Sequence, residues 1–194
     1  MAEIHSQRLI PKNPKDTPSD MYYLATSNDW TMLKRVKADA EQRVPHEVIW
    51  QTGNKQSTVH YVEDDVVQFP YVFIRGGTIE AVLDVIRTTL TTYTDEELLE
   101  LFRAATTSEA KKQALAYLGV GAPVQASKDF FAQFQTALAD DDPDVRQAAL
   151  VMMAYPSWPE LRPLLEDRRD NDSDSAVRHT AAAVLAAFDQ VDIP

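Results

Sequence analysis

Histidine and carboxylate side chains cluster in the first third of the chain, where they could form a metal site. The five residues are His46, His60, Glu63, Asp64 and Asp65. Nitrogen and oxygen ligands of this kind bind zinc and other transition metals when a fold brings three or four of them together. Their spacing matches no standard zinc motif, so exposed strand and turn positions are the simpler interpretation.

Two acidic turns, over 140–144 and 167–174, have the composition of calcium-binding loops. They lack the ligand spacing and the central glycine that such a loop requires. Negative side chains that precede a helix also interact favourably with the positive end of that helix. We therefore interpret both segments as solvent-facing turns that cap the helices after them.

Catalytic signatures are absent from the sequence. The chain has no Cys and only five Gly, and it contains neither a glycine-rich phosphate loop nor a nucleophile-elbow pattern. A thiolate nucleophile is therefore excluded, and tight phosphate-binding turns are scarce. The sequence predicts a protein that is not an enzyme, with no catalytic residue, no metal and no cofactor.

The chain is strongly acidic, and the excess of negative charge lies in its C-terminal part. The net charge is −11, and residues 120–194 contain six Lys and Arg against thirteen Asp and Glu. Nucleic-acid binding needs cations that displace the counterions of phosphate groups, so nucleic acid is an unfavourable partner. A basic protein would be complementary, although the acidity can also serve solubility alone.

The sequence carries no signal for a membrane or for secretion. Its first residues lack the apolar core of a signal peptide, and no stretch approaches the ~20 apolar residues of a membrane span. The absence of Cys also leaves no disulfide that would suggest an oxidising compartment. We therefore expect a cytoplasmic protein without a membrane partner.

An α+β part is predicted over 1–76. It begins with an extended arm over 1–19, where three prolines disfavour a helix. Two helices should follow this arm, the second of them between 28 and 45. That second helix is predicted from the helical spacing of three apolar residues, Trp30, Leu33 and Val36.

A small antiparallel β meander of three or four strands is predicted over about 46–75. Residues 46–51 and 57–63 alternate between apolar and polar and are rich in β-formers, with turn residues between them. The run over 66–75 is apolar on both faces, and Pro70 within it favours an edge position or a break.

The remainder of the chain, over 77–194, is predicted to be helical. Its first helix has one apolar face, formed by Ile79, Val82, Leu83, Ile86 and Leu90. This helix could cover a face of the meander, or it could begin a stack of helices.

From Thr94 onward the chain repeats a pair of helices three times. Thr94 and Glu97 form a capping box at the start of the first pair. The equivalent positions Ala110, Val145 and Val177 lie 35 and 32 residues apart, a period typical of a solenoid of helix pairs. Bulky side chains dominate the first helix of each pair and alanines the second, which allows successive layers to interdigitate.

One motif recurs at the start of the second helices. It is Asp142-Pro143-Asp144-Val145-Arg146-Gln147-Ala148-Ala149 in the second repeat, and Asp174 with Val177-Arg178 and Ala181-Ala182 in the third. At these residues the sequence resembles the HEAT-repeat family, including its short bacterial relatives. The resemblance covers about residues 94–190. It is weaker in the first repeat, which has Lys111 in place of the Arg and no Asp-Pro turn.

The resemblance implies a mainly α fold, in which a short HEAT-like α-α solenoid follows the N-terminal α+β part with its β meander. It also implies that Asp and Arg residues form a ladder between neighbouring repeats. The implied ladder residues are Asp142, Arg146, Asp174 and Arg178, with Asp140 as a further partner for the two arginines.

Protein binding is the function that the resemblance implies. We expect the contact to use the acidic turn edge and the concave face of the stacked helices. The candidate binding residues are Asp140, Asp141, Asp144, Asp167, Asp170, Asp172, Tyr155 and Trp158. Trp158 and Tyr155 lie at a joint between repeats, where Trp158 is either a core wedge or an exposed anchor for a partner.

These observations predict a non-enzymatic interaction module, either a scaffold or an inhibitor such as an immunity protein that masks a basic toxin. One alternative is a HEAT-like lyase or assembly factor with a small-molecule pocket, and another is a structural oligomer subunit. A DNA glycosylase of HEAT-like type would need a basic groove, whereas this repeat region is acidic, so this alternative ranks low. A homodimer stays open, because either a second copy or the segment Val184–Ile193 could close one end of the stack.

Overall fold

The chain forms two compact units, Met1–Tyr93 and Thr94–Pro194. A computed structural model describes residues 5–42 and 44–191. The first unit contains helices and an antiparallel sheet, and the second contains only helices, so the predicted fold class is confirmed. The predicted closing segment Val184–Ile193 extends beyond the described residues, as do the first four residues of the predicted arm.

The first unit has one helix, a four-stranded meander and a second helix. The sheet is antiparallel throughout, and its strands lie side by side in chain order. The elements are α1 (Thr17–Ser27), β1 (Thr31–Val36), β2 (His46–Gln51), β3 (Ser57–Asp64), β4 (Phe69–Gly76) and α2 (Ile79–Arg87).

The second N-terminal helix predicted between 28 and 45 is wrong, because this segment contains strand β1. Asp29, two residues after the end of α1, has a φ of 55°, a left-handed conformation that does not continue a helix. Trp30, Leu33 and Val36 do have helical spacing, but Leu33 lies at a bulge of β1 and is 53% exposed. The helical spacing of these residues therefore does not reflect a buried helical face. Pairing with β2 decides the structure of this segment instead.

Helix α2 covers the meander and does not begin the helical stack. Val82, Leu83 and Ile86 share one buried core with sheet residues such as Trp50 and with α1. The structure therefore divides the chain after Tyr93, whereas the sequence placed the division after residue 76. The amphipathic face of α2 is compatible with either partner, so its pattern alone could not decide between them.

The N-terminal arm lies along the outer edge of β4. The amide of Ser6 donates to the carbonyl of Ile74 at 2.8 Å, and Leu9 and Val72 exchange two backbone hydrogen bonds. These bonds satisfy backbone groups of an edge strand that would otherwise be unpaired. Pro70 lies in this strand, so its missing amide donor falls at the edge of the sheet, as predicted.

The second unit consists of three helix pairs, one for each predicted repeat. Thr94 and Glu97 form the predicted capping box at its start. The pairs are α3 (Asp95–Ala104) with α4 (Ser108–Val120), α5 (Lys128–Leu138) with α6 (Pro143–Met153), and α7 (Arg162–Asn171) with α8 (Ser175–Val191). A single 3-10 turn, Pro159–Leu161, precedes α7.

Small residues allow the second helices α4, α6 and α8 to pack side by side. Gly119 of α4 lies against α6, where an added Cβ would be only 2.7 Å from the Cβ of Met152. Ala149 and Ala181 are fully buried, and so is Phe134 from the first helix of the second pair. Large first helices against small second helices therefore build the core that the composition predicted.

Candidate protein-interaction surface

The two turns that precede α6 and α8 have the same internal structure. Asp140 accepts a hydrogen bond from the amide of Asp142 at 3.0 Å, and Asp172 accepts one from the amide of Asp174 at 2.9 Å. Asp142 and Asp174 in turn cap their helices through amides in the first turn. In each Asp-x-Asp sequence, therefore, the first Asp accepts a hydrogen bond inside the turn and the second Asp caps the following helix.

The first Asp of each turn receives a cation from the preceding repeat. Arg146 binds Asp172 in a bidentate pair, with Nε 2.9 Å from Oδ2 and Nη2 2.8 Å from Oδ1. The side chains are only 9% and 1% exposed. Arg146 also donates through Nη1 to the carbonyls of Asp140 and Asp141 in its own turn. One guanidinium therefore joins the turns of the second and third repeats.

Lys111 makes the corresponding contact between the first and second repeats. Its Nζ lies 2.6 Å from Oδ2 of Asp140, with the side chains 29% and 16% exposed. The Lys contact is therefore a single, more hydrated ion pair, while the Arg contact is a buried fork. Arg168 is a further cation beside the buried carboxylate of Asp172, 3.4 Å away.

The predicted ladder is therefore partly wrong in its acidic members. Arg146 is a ladder residue, but its partner is Asp172, and Asp140 pairs with Lys111. Asp142 and Asp174 cap helices instead, because each lies immediately before the first turn of a helix and faces its free amides. Asp140 and Asp172, which the sequence analysis placed among the binding residues, are used inside the stack.

A family of known repeats matches this half of the chain. The model for HEAT repeats matches residues 95–190, which is the region that contains the three helix pairs and their ladder. These residues belong to the HEAT-repeat family. No curated protein and no solved structure matches the chain.

The exposed carboxylates in and beside the HEAT turns differ in how far they are neutralised. Asp167 and Asp170 lie in the last two turns of α7, so the solvent-facing turn predicted over 167–174 is wrong for residues 167–171. Asp167 lies 2.5 Å from Nη2 of Arg168, and Asp170 lies 2.7 Å from Nε of Arg169. Asp141 and Asp144 are exposed and form no carboxylate hydrogen bond or ion pair with any residue in the described part of the chain. We call Asp141 and Asp144 the acidic edge.

Trp158 is a wedge inside the HEAT repeats. It is 2% exposed, and its indole Nε1 donates to the carbonyl of Pro123 at 2.9 Å. Its ring meets Phe134 edge-on, with 6.3 Å between centroids. Trp158 therefore cannot act as an exposed anchor, and Tyr155 beside it is half-buried. The indole fills a joint between repeats and satisfies a carbonyl there, which explains why an aromatic residue occurs at this place.

Two of the candidate metal ligands of the meander, His60 and Glu63, bond to other residues of the sheet. His60 is buried, stacks on Phe73, and bonds through Nδ1 to Oε1 of Glu47 at 2.7 Å and through Nε2 to Thr58. The hydroxyl of Tyr61 donates to Glu63. Within residues 5–42 and 44–191, no group of three or more His, Asp or Glu residues is placed to hold a metal ion.

A cavity of about 500 Å³ lies beside the turn between β3 and β4. Its polar lining includes Glu63 and Asp65, and its apolar lining includes Pro14 and Phe69. Burial raises the pKa of the Tyr61 phenol in this lining far above its usual value.

No helix among the described residues is long and apolar enough to cross a membrane.

The ladder predicts a loss of stability in acid. The hydrogen bonds from Arg146 hold the pKa of Asp172 below its ordinary value, and Lys111 does the same for the pKa of Asp140. A folded pKa below the unfolded value of about 3.9 gives stability that is present above that value and lost as the pH falls through the folded pKa. We expect the free energy of unfolding to fall steeply below about pH 4.

Urea unfolding followed by circular dichroism, from about pH 6 down to about pH 2, measures this loss. The variant Asp172→Asn should show a shallower dependence on pH over the same range, because its side chain no longer titrates. An unchanged dependence in this variant would show that other carboxylates cause the acid sensitivity.

Proposed function

We propose that the chain is a non-enzymatic protein-interaction module whose HEAT repeats bind a basic protein. HEAT repeats are commonly protein-interaction modules and typically have no catalytic role. The observation that supports a basic partner is the acidic edge, where Asp141 and Asp144 carry negative charge that no cation in the described chain neutralises by an ion pair. The role we propose is that of a scaffold or an immunity-type inhibitor in the cytoplasm of a bacterial cell.

The ladder supports this proposal because it holds the acidic edge in a defined position. The carbonyl of Asp141 accepts from Arg146, which is itself fixed by Asp172. Asp144 lies in the first turn of α6, one residue after Pro143. Charges on a rigid surface steer an oppositely charged protein towards it. The side chains that carry these charges also lose little conformational freedom on binding. The neighbouring exposed face of α4 and α6 would supply the rest of the contact.

The test is a change of charge at two matched places. The first variant, Asp141→Asn with Asp144→Asn, removes the acidic edge. The control variant, Asp167→Asn with Asp170→Asn, changes the net charge by the same amount but removes carboxylates that already pair with Arg168 and Arg169. Tagged full-length chains would capture partners from native lysate at low and at high salt, followed by binding kinetics with the purified partner.

We expect a basic protein that high salt releases and that the acidic-edge variant binds about ten-fold more weakly, mainly through a slower association rate. The control variant should bind within about two-fold of the original chain, since rim charges that are already paired contribute little. Equal binding by both variants, or a partner that is not basic, would contradict the proposed surface.

A homodimer is the second association that we propose. The observation that favours it is a face of α8 bearing Ala182, Ala183, Ala186 and Ala187, which no residue in the described part of the chain covers. This association would involve a different surface from the acidic edge, so the two proposals can fail separately.

A further inference from the structure

Three positions on α6 characterise its junction with the next layer. They are Arg146, Gln147 and Leu150. Arg146 binds Asp172 of the next repeat, and Gln147 donates to Oγ1 of Thr180 on α8 at 2.8 Å. Leu150 is fully buried. An ion pair and a polar contact therefore hold the second and third layers together, beside a buried apolar residue.

The same three positions of α8 are Arg178, His179 and Ala182, each 32 residues later in the chain. Arg178 repeats part of the Arg146 geometry, because its Nη1 donates to the carbonyls of Asp172 and Ser173 in its own turn. Its Nε and Nη2, the two atoms that Arg146 uses to bind a carboxylate, have no partner among the described residues. His179 and Ala182 are exposed. This face of α8 therefore has the features of a layer junction, and no described residue forms a neighbouring layer there.

We infer that this face binds the same face of a second copy of the chain, with the two α8 helices antiparallel. We call it the α8 face and define it by Arg178, His179, Ala182, Ala183 and Ala186. Each Arg178 would bind Asp189 of the other copy through the Nε and Nη2 fork. The inference rests on the self-association proposed above and specifies its surface and its ion pairs.

The positions of Arg178 and Asp189 on α8 fit this arrangement. They are 11 residues apart, close to three turns of about 3.6 residues each, so they lie on the same flank of the helix. In an antiparallel pair of helices, equal flanks face each other. A two-fold axis near Ala183, midway between the two residues, therefore brings each Arg178 opposite the other copy's Asp189.

Charge and side-chain size both favour a second copy as the occupant. Asp189 is 65% exposed and uses Oδ1 to accept from Arg162, so its carboxylate is accessible to a second arginine. Alanine at 182, 183 and 186 leaves the middle of the α8 face without a large side chain, so the two helix backbones can approach closely there. A bidentate Arg–carboxylate pair also selects one orientation, since its fork geometry is directional.

Reversal of each charge tests the pairing directly. The full-length chain should form a dimer in analytical ultracentrifugation. Arg178→Asp and Asp189→Arg should each weaken this dimer about ten-fold or more, because each variant places like charges opposite each other twice. An equimolar mixture of the two variants should restore a dimer with one copy of each variant. In that dimer position 178 of each copy again faces an opposite charge at position 189 of the other copy. Neither residue is buried, so circular dichroism should show folded chains throughout.

A steric variant with a matched control completes the test. Ala183→Glu on the α8 face should give a monomer, whereas Ala132→Glu on the exposed side of α5 should leave the dimer intact. A dimer that survives Ala183→Glu, or a mixture of charge variants that stays monomeric, would overturn the α8 face while self-association stands. An original chain that is monomeric at every concentration would overturn self-association as well, without affecting the test of the acidic edge.

Discussion

Replacement of Asp172 by Asn is expected to lower the free energy of unfolding of the HEAT unit by about 3–5 kcal/mol. The side chain of Asp172 is 1% exposed and receives the guanidinium of Arg146 in a bidentate pair. Loss of its charge leaves Arg146 buried without a counter-charge, and Arg168 loses a neighbouring carboxylate as well. The cost arises mainly from the uncompensated buried cation, because a buried pair itself contributes little net stability once its desolvation is counted.

Urea unfolding at neutral pH, followed by circular dichroism, measures this effect. Asp170→Asn is the matched control, because Asp170 lies two residues earlier and forms an exposed pair with Arg169. The control should cost less than about 1 kcal/mol. In a double-mutant cycle with Arg146→Met, the double variant should cost clearly less than the sum of the two single variants. Additive losses would mean that the two side chains do not act as a pair.

Replacement of Trp158 by Ala is expected to cost about 3–5 kcal/mol. The change removes a 2% exposed indole that packs against Phe134, and it leaves the carbonyl of Pro123 without its donor. Trp158→Phe should cost less, because it keeps an aromatic ring in the joint and loses the hydrogen bond, worth about 1 kcal/mol. The order of stability should therefore be Trp, then Phe, then Ala.

Thermal and urea unfolding of the two Trp158 variants measure this order. Binding of the captured partner by the folded Phe variant should stay close to that of the original chain, because residue 158 is inside the repeat. A Phe variant that keeps its stability but loses the partner would show that Trp158 contacts the partner, contrary to its position as a wedge.

The ladder illustrates the limit of motif-based prediction. The HEAT-like motif identified Arg146 as a structural cation, but several aspartates lie within a few residues of each turn. Which of them meets the cation depends on the path of the turn. The Asp-x-Asp sequence at Asp140 and Asp172 contained the relevant signal, because in each turn its first Asp lies two residues before the cap. Gln147, which contacts Thr180 across the layers, carried no sequence signal.

Local sequence by itself determined the elements that depend on interactions between residues close together in the chain. The capping box at Thr94, the alternation in β2 and β3, and the 32- to 35-residue repeat all depend on neighbouring residues, so their patterns predicted the structure correctly. Tertiary structure decided the rest. Segment 31–36 became a strand because β2 was available to pair with it. The amphipathic helix α2 joined the sheet, and the cations found their partners, because those choices depend on contacts between residues far apart in the chain.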